Sequence, residues 1–202
     1  MAVKVVDLRC SGCGGALAPS EHFCKYCGNA VVVTSFNSIY AATAQDAMRL
    51  SRALDKDPAA ASGGEMGNLV NFTQAGCYLK LKLHDKALEK FEAAIEADFD
   101  NPEAYFYAAV CLLRGKKAFL APLADIKKAI EYADAALMLE NRGAFNYLKA
   151  YIKHDFHARR CLRISPDWRG EMSAALSNNL SPADAAALFQ ILGVECPAPL
   201  AF

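Results

Sequence analysis

The sequence predicts a small cysteine-rich β module followed by an all-α domain built as a solenoid of stacked helix pairs. Three observations carry that expectation. Residues 10 to 28, CSGCGGALAPSEHFCKYCG, hold four cysteines in two CxxC pairs. Beyond residue 67 there is no strand-like alternation, and capped, proline-initiated helix starts recur instead. Segments of that helical part also repeat one another at an offset of 34 residues.

Length and composition set the frame. The 202 residues suffice for one medium domain or for a small module beside a larger one. Hydrophobic residues make up 54% of the chain, so a packed core can form. Lys plus Arg number 22 and Asp plus Glu number 22, which excludes a chain built throughout as a polyanion binder. The opening MAVKVVDLRC lacks the apolar region and small-residue cleavage site of a secretory signal. The longest apolar run, Ala104 to Leu113, is 10 residues, about half of the ~20 needed to cross a membrane. The expectation is a cytoplasmic protein with no membrane partner. In that reducing compartment, paired cysteines point to metal or redox chemistry rather than to a disulfide scaffold.

The first element, residues 1–36, is the cysteine module. Cys10 and Cys13, then Cys24 and Cys27, have two residues within each pair and ten between pairs, the spacing of a tetrahedral four-cysteine site. Gly14 and Gly28 follow the pairs and permit the tight turn that aims backbone N–H groups at the sulfurs. A thioredoxin-like motif is a single CxxC opening a helix within a βαβ unit, and that context is absent. The flanking VKVVDL and AVVVTSF read as short strands. About 40 residues cannot bury enough surface to fold unaided, whereas structural Zn2+ supplies roughly 10–16 kcal/mol at neutral pH. One structural Zn2+ is the expected cofactor, with redox or iron–sulfur use as the alternative. The pattern CxxCG…CxYCG resembles the small zinc ribbons at the termini of many bacterial and archaeal proteins. Four cysteine ligands leave no open position for water, which disfavours a catalytic metal. The module's charges, Lys4, Arg9 and Lys25 against Asp7 and Glu21, favour protein contact over a phosphate-gripping face.

Residues 37–67 read as a helix and a linker. Ile39, Ala42, Ala47, Leu50 and Leu54 give Ser38 to Asp57 one apolar helical face. Pro58, Gly63, Gly64 and Gly67 then mark a loop.

Residues 68–202 form the helical domain. Asn101-Pro102-Glu103, Ser165-Pro166-Asp167 and Ser181-Pro182-Ala183-Asp184 each place a cap before proline at the first helical position. AGCYLK at Ala75 to Lys80 aligns with AVCLLR at Ala109 to Arg114, offset by 34 residues. ALEKFEAAIEAD at Ala87 to Asp98 aligns with AIEYADAALMLE at Ala129 to Glu140, offset by 42, so the second unit carries eight extra residues around AFLAPLAD. Small side chains at Ala75, Ala87, Ala94, Ala109, Ala129 and Ala136 allow close helix approach, with Tyr78, Phe91 and Leu112 filling between.

These residues resemble the tetratricopeptide repeat. Ala75, Tyr78, Ala87, Phe91 and Ala94 match its signature positions, and Pro102 falls a few residues late yet opens the next helix. The second unit matches at Ala109, Leu112, Ala129 and Ala136 and departs at Ala133, where an aromatic is usual. A third, degenerate unit is expected from Gly143 to Ile164 with KHDF as a short loop, and helices near 166–178 and 182–192 are expected to cap the stack. The resemblance implies an α-solenoid of tetratricopeptide-like helix pairs whose first helices line a concave partner-binding surface. The corresponding positions are Leu69, Phe72, Gly76 and Leu79, then Glu103, Phe106, Val110 and Leu113. Leu69, Phe72, Leu79, Phe106, Val110 and Leu113 are too apolar for a groove left open to water. The implied occupant is an amphipathic helix, either a protein partner's or the chain's own residues 38–57.

The remaining chemistry-bearing residues have quieter readings. Cys77 and Cys111 occupy equivalent repeat positions and suit core packing. His154, His157 and Cys161 stand at i, i+3, i+7 with no fourth ligand signalled, so surface helix residues are expected rather than a second metal site. The segment 153–169 is the most basic, with Lys153, Arg159, Arg160, Arg163 and Arg169 against Asp155 and Asp167. Trp168 suits an anchor at a helix start. No glycine-rich phosphate loop, nucleophile elbow or hydrolase-type histidine–carboxylate motif is present, so the chain is not expected to be an enzyme. The expectation is an adaptor or scaffold acting through protein–protein contact. The alternative is a nucleic-acid-associated regulator using the ribbon and the 153–169 segment, and an enzyme with thiol or metal chemistry stands third.

Overall fold

The computed structural model describes residues 15–16, 24–28, 44–54 and 65–201. Among them the architecture is all-helical: α1 (Ala44–Leu54), α2 (Glu65–Lys80), α3 (His84–Ala97), α4 (Pro102–Leu112), α5 (Leu123–Leu139), α6 (Gly143–Ile152), α7 (Trp168–Ser177) and α8 (Pro182–Leu192). The two flanking strands expected of the cysteine module lie outside the described residues, as do residues 38–43 and 55–57 of the expected first helix. Gly67 falls inside α2, which starts at Glu65, rather than in the linker.

Local capping chemistry fixes several starts. The Asn101 side chain accepts from the amides of Glu103 and Ala104, with Pro102 at the first helical position. Ser181 and Asp184 form a reciprocal capping box ahead of α8. α7 departs from expectation. Its cap is Asp167, whose carboxylate accepts from the Gly170 amide, because Ser165 and Pro166 belong to the connector and the Pro166 carbonyl is held by Lys153 Nζ at 2.8 Å.

Neighbouring helices pack in succession: α1 on α2, then the joined pairs α2–α3, α4–α5 and α6–α7 against one another. Fully buried alanines at positions 75, 87, 94, 104, 109, 129 and 136 let these helices approach closely. Aromatic rings run across the stack. Phe72 of α2 meets Phe91 of α3 at 5.7 Å, Phe91 meets Tyr107 of α4 at 5.8 Å, and Phe106 meets Phe145 of α6 at 4.9 Å.

The third pair corrects the sequence reading. KHDF is not a loop: α6 continues into a wide turn, Lys153–His157, and a short 3-10 turn, Ala158–Arg160. Lys153, Asp155 and Phe156 are buried there, and their partners keep the chain helical. The second helix of this pair is α7, so the unit runs on to Ser177 rather than ending at Ile164. The extra residues of the second unit dock on the same turn and on the end of α6 that leads into it. The Ala118 amide donates to Tyr151 Oη at 3.2 Å, and the Phe119 amide to Asp155 Oδ2 at 2.8 Å.

Where α6 begins, Gly143 touches the end of α7. A Cβ there would lie 2.6 Å from the Ala175 carbonyl oxygen and 2.6 Å from the Leu180 amide nitrogen, so only glycine fits.

Candidate functional site

Of the cysteine module, residues 15–16 and the second pair with its turn, 24–28, are described. Residues 25–27 form a turn between Cys24, which is buried, and Gly28. The Gly28 amide donates to the Cys24 carbonyl oxygen at 2.8 Å, and Gly28 has φ +73°. A side chain is disfavoured at that φ, which accounts for glycine directly after the second cysteine. A compact turn of this kind suits a CxxCG metal knuckle. Cys10 and Cys13 lie outside the described residues, so the fourfold ligand set is not assembled within them.

The six groove positions lie in several environments. Leu69 is half-buried. Phe72, Leu79, Phe106, Val110 and Leu113 are buried within the main apolar core. The Phe72 ring packs toward α3, and Phe106 packs on α6. α8 packs on α6, and its Ala185, Leu188, Phe189 and Leu192 are buried. Their i, i+3, i+4, i+7 spacing is one helical stripe. Phe189 meets the rings of Tyr147 at 5.8 Å and Tyr151 at 5.2 Å. Residues of α4, α6 and α8 line a partly open pocket of about 80 Å3, with Glu103 and Arg142 paired at 3.0 Å among its lining. α1, which is part of the segment expected to fill the groove, packs on α2. The spacing of α8's apolar residues was available in the sequence; its docking place was not.

A buried charge network joins α5, α6 and α7. Glu171 Oε1 receives Lys153 Nζ at 2.6 Å and Lys149 Nζ at 2.9 Å, and Glu171 is 2% exposed. Lys149 also reaches Asp134 at 2.6 Å. Asn146 Nδ2 donates to Glu171 Oε2 at 3.2 Å, and Asn178 Nδ2 donates to Asn146 Oδ1 at 2.9 Å. Burial would raise the Glu171 carboxyl, but the hydrogen bonds and charge of Lys153 and Lys149 hold it below the usual carboxylate range. No local sequence signal joins these residues, because Glu171 lies 18 positions from Lys153.

The basic segment is partly used up by the fold. Arg159 pairs with Asp155 at 2.7 Å and stacks on Phe119 at 4.4 Å. Arg160 donates to the Phe119 carbonyl at 2.7 Å and lies over Phe156 at 4.3 Å. Arg163 makes no ion pair or hydrogen bond among the described residues. His154, His157 and Cys161 do not converge into a metal-binding group among the described residues. Cys161 ends the short helical turn at φ +56° and is exposed. The His154 ring instead meets Trp168 edge to face at 5.1 Å. Burial, with the nearby arginines, holds the His154 pKa below the ordinary imidazole value despite Asp155. Cys77 and Cys111 are buried, and burial pushes the Cys77 thiol up to about 12.

No helix among the described residues is long and apolar enough to cross a membrane. No protein-family model matches the chain, and no solved structure matches it with significance.

Proposed function

We propose that this protein is a non-enzymatic adaptor: a tetratricopeptide-like helical stack for binding other proteins, carrying a structural zinc ribbon at its N-terminus. The observation that supports this reading best is the seating of α8. Its stripe of Ala185, Leu188, Phe189 and Leu192 is buried, with Phe189 on Tyr147 and Tyr151 of α6, the first helix of the third pair, and Leu188 beside Phe106 and Tyr107 of α4. A face that holds one amphipathic helix has the shape and apolarity to take another, in cis or in trans. In the ribbon, Cys10, Cys13, Cys24 and Cys27 would hold one Zn2+, whose role is to supply folding free energy to a module too small to fold without it. The turn at Cys24 to Gly28 fits that role.

The nucleic-acid reading is the weaker one, because Arg159 and Arg160 are tied to Asp155, Phe119 and Phe156. Phosphate contacts draw on arginines whose donors are free. Immobilising the intact protein and capturing from its native cell extract separates the two. A stoichiometric protein partner that survives nuclease treatment is expected. Nuclease-sensitive capture, lost on charge reversal at Arg159, Arg160 and Arg163, would replace the adaptor reading with the regulator.

A further inference from the structure

We propose that the cleft between the Lys153–His157 turn and the start of α7 binds a small amphiphilic anion, a carboxylate or phosphate head on a short apolar body. This inference is independent of the adaptor reading. The cleft has a volume of about 370 Å3, within the range of small-molecule sites. Leu162, Ile164 and Trp168 supply apolar wall, and Leu162 stays 48% exposed in it.

The polar groups around the cleft are mostly committed to one another. Lys153 Nζ is taken by Glu171 at 2.6 Å and by the Pro166 carbonyl at 2.8 Å. Asp167 accepts from the Gly170 amide at 3.0 Å and faces Arg169 at 3.6 Å. Arg169 in turn stacks on Trp168 at 4.5 Å. Two groups remain. Arg163 lines the cleft with no ion pair or hydrogen bond among the described residues. His157 lines it too, and its Nδ1 is buried with no hydrogen-bond partner there. Burial and the Lys153 charge keep His157 neutral near pH 7, so its ring carries one N–H while Arg163 carries the charge.

An unpaired guanidinium beside apolar wall selects for a ligand with both characters. Its planar fork matches a carboxylate or a phosphate. A neutral apolar molecule would leave Arg163 unanswered, and a bare anion would leave the Leu162 and Ile164 wall in water.

The chain contains one tryptophan, Trp168, so the cleft carries its own reporter. The intact protein is titrated with hexanoate, hexyl phosphate, hexanol and inorganic phosphate while Trp168 emission is followed. A saturable change is expected with hexanoate or hexyl phosphate, and the tighter of the two identifies the head group. Hexanol and inorganic phosphate should each bind at least tenfold more weakly. Arg163→Gln should weaken the anionic probe at least tenfold with an unchanged thermal melt, and Arg163→Lys should recover part of the affinity. The proposal fails if neither anionic probe saturates, if hexanol or inorganic phosphate binds equally well, or if Arg163→Gln titrates like the wild type.

Discussion

Replacing Glu171 by glutamine removes one negative charge from the interior and leaves the side-chain volume unchanged. The carboxylate is 2% exposed and answers two ammonium groups, Lys153 at 2.6 Å and Lys149 at 2.9 Å. Removing one partner of a buried ion pair costs about 3–5 kcal/mol. Two features place this site at the lower end. Lys149 keeps Asp134 at 2.6 Å, and that carboxylate is 45% exposed and therefore screened by water. Lys153 keeps the Pro166 carbonyl at 2.8 Å. One feature works the other way. The new amide nitrogen meets Asn146 Nδ2, another donor, and Asn146 cannot turn over without losing its bond from Asn178. The expected loss is about 3 kcal/mol, equivalent to a melting point lower by about 6–12 °C for a chain of this size. Denaturant titration followed by Trp168 emission and by helical circular dichroism measures it. A loss below about 1 kcal/mol, the range of a surface pair, would refute the reading of Glu171 as the buried anchor of α5, α6 and α7. Lys153→Met with Glu171→Leu should recover most of the loss, because apolar isosteres replace buried pairs well.

The same site sets a pH dependence with a definite sign. The folded Glu171 pKa lies below its unfolded value, as the hydrogen bonds from Lys153 and Lys149 outweigh burial. Its contribution is therefore complete above the unfolded carboxyl pKa of about 4.3 and is lost as pH falls through the folded value. The gap between wild type and Glu171→Gln should be full at pH 7 and should narrow below about pH 4.

Three further outcomes test other parts of the structure. Protein purified without chelator should carry one zinc per chain, and Cys24→Ser should lose it while the helical part keeps a cooperative melt; wild-type protein with no zinc by elemental analysis defeats the ribbon. Gly143→Ala should cost about 3 kcal/mol or more, since its Cβ meets backbone at 2.6 Å on two sides; a near-wild-type melt would show that α6 and α7 are not held end to end. Cys77, pushed up to about 12 by burial, and Cys111, raised for the same reason, should resist a thiol reagent at pH 8 while Cys161 reacts at once; prompt labelling of Cys77 would place it outside the core.

What the sequence made legible was local. Asn101 with Pro102, and Ser181 with Asp184, announce their helices because the cap and the amides it satisfies lie within three residues. The alanines of the helix crossings were legible through the repeat offsets, 34 residues for Ala75 and Ala109 and 42 for Ala87 with Ala129 and Ala94 with Ala136, since close approach leaves room for little else. The wide turn at Lys153–His157 was not. Its residues read as a polar loop, yet Lys153 is answered by Glu171 and Asp155 by the Phe119 amide, 36 residues away. A buried lysine and a buried aspartate become compatible with a helix only when tertiary partners arrive, and no window of sequence contains both. The shift of the α7 cap from Ser165 to Asp167 has the same origin, because Lys153 holds the Pro166 carbonyl in the connector.

That turn explains why the extra residues of the second unit and the departure in the third belong together. Asp155 faces Phe119 and Arg159, while Lys153, two positions earlier, faces Glu171 and Pro166. One short segment thus ties the added loop on one side to α7 on the other. Arg159 and Arg160 extend the same attachment by stacking on Phe119. A unit ending at Ile164 would have no α7 to supply Glu171, leaving Lys149 and Lys153 buried without their shared carboxylate. The longer connector follows from that requirement, and by swinging Leu162, Arg163 and Ile164 outward between the turn and α7 it also creates the cleft. The irregular features of the chain therefore converge on one place, where the regular stack gives way to a concave site bearing an unpaired arginine.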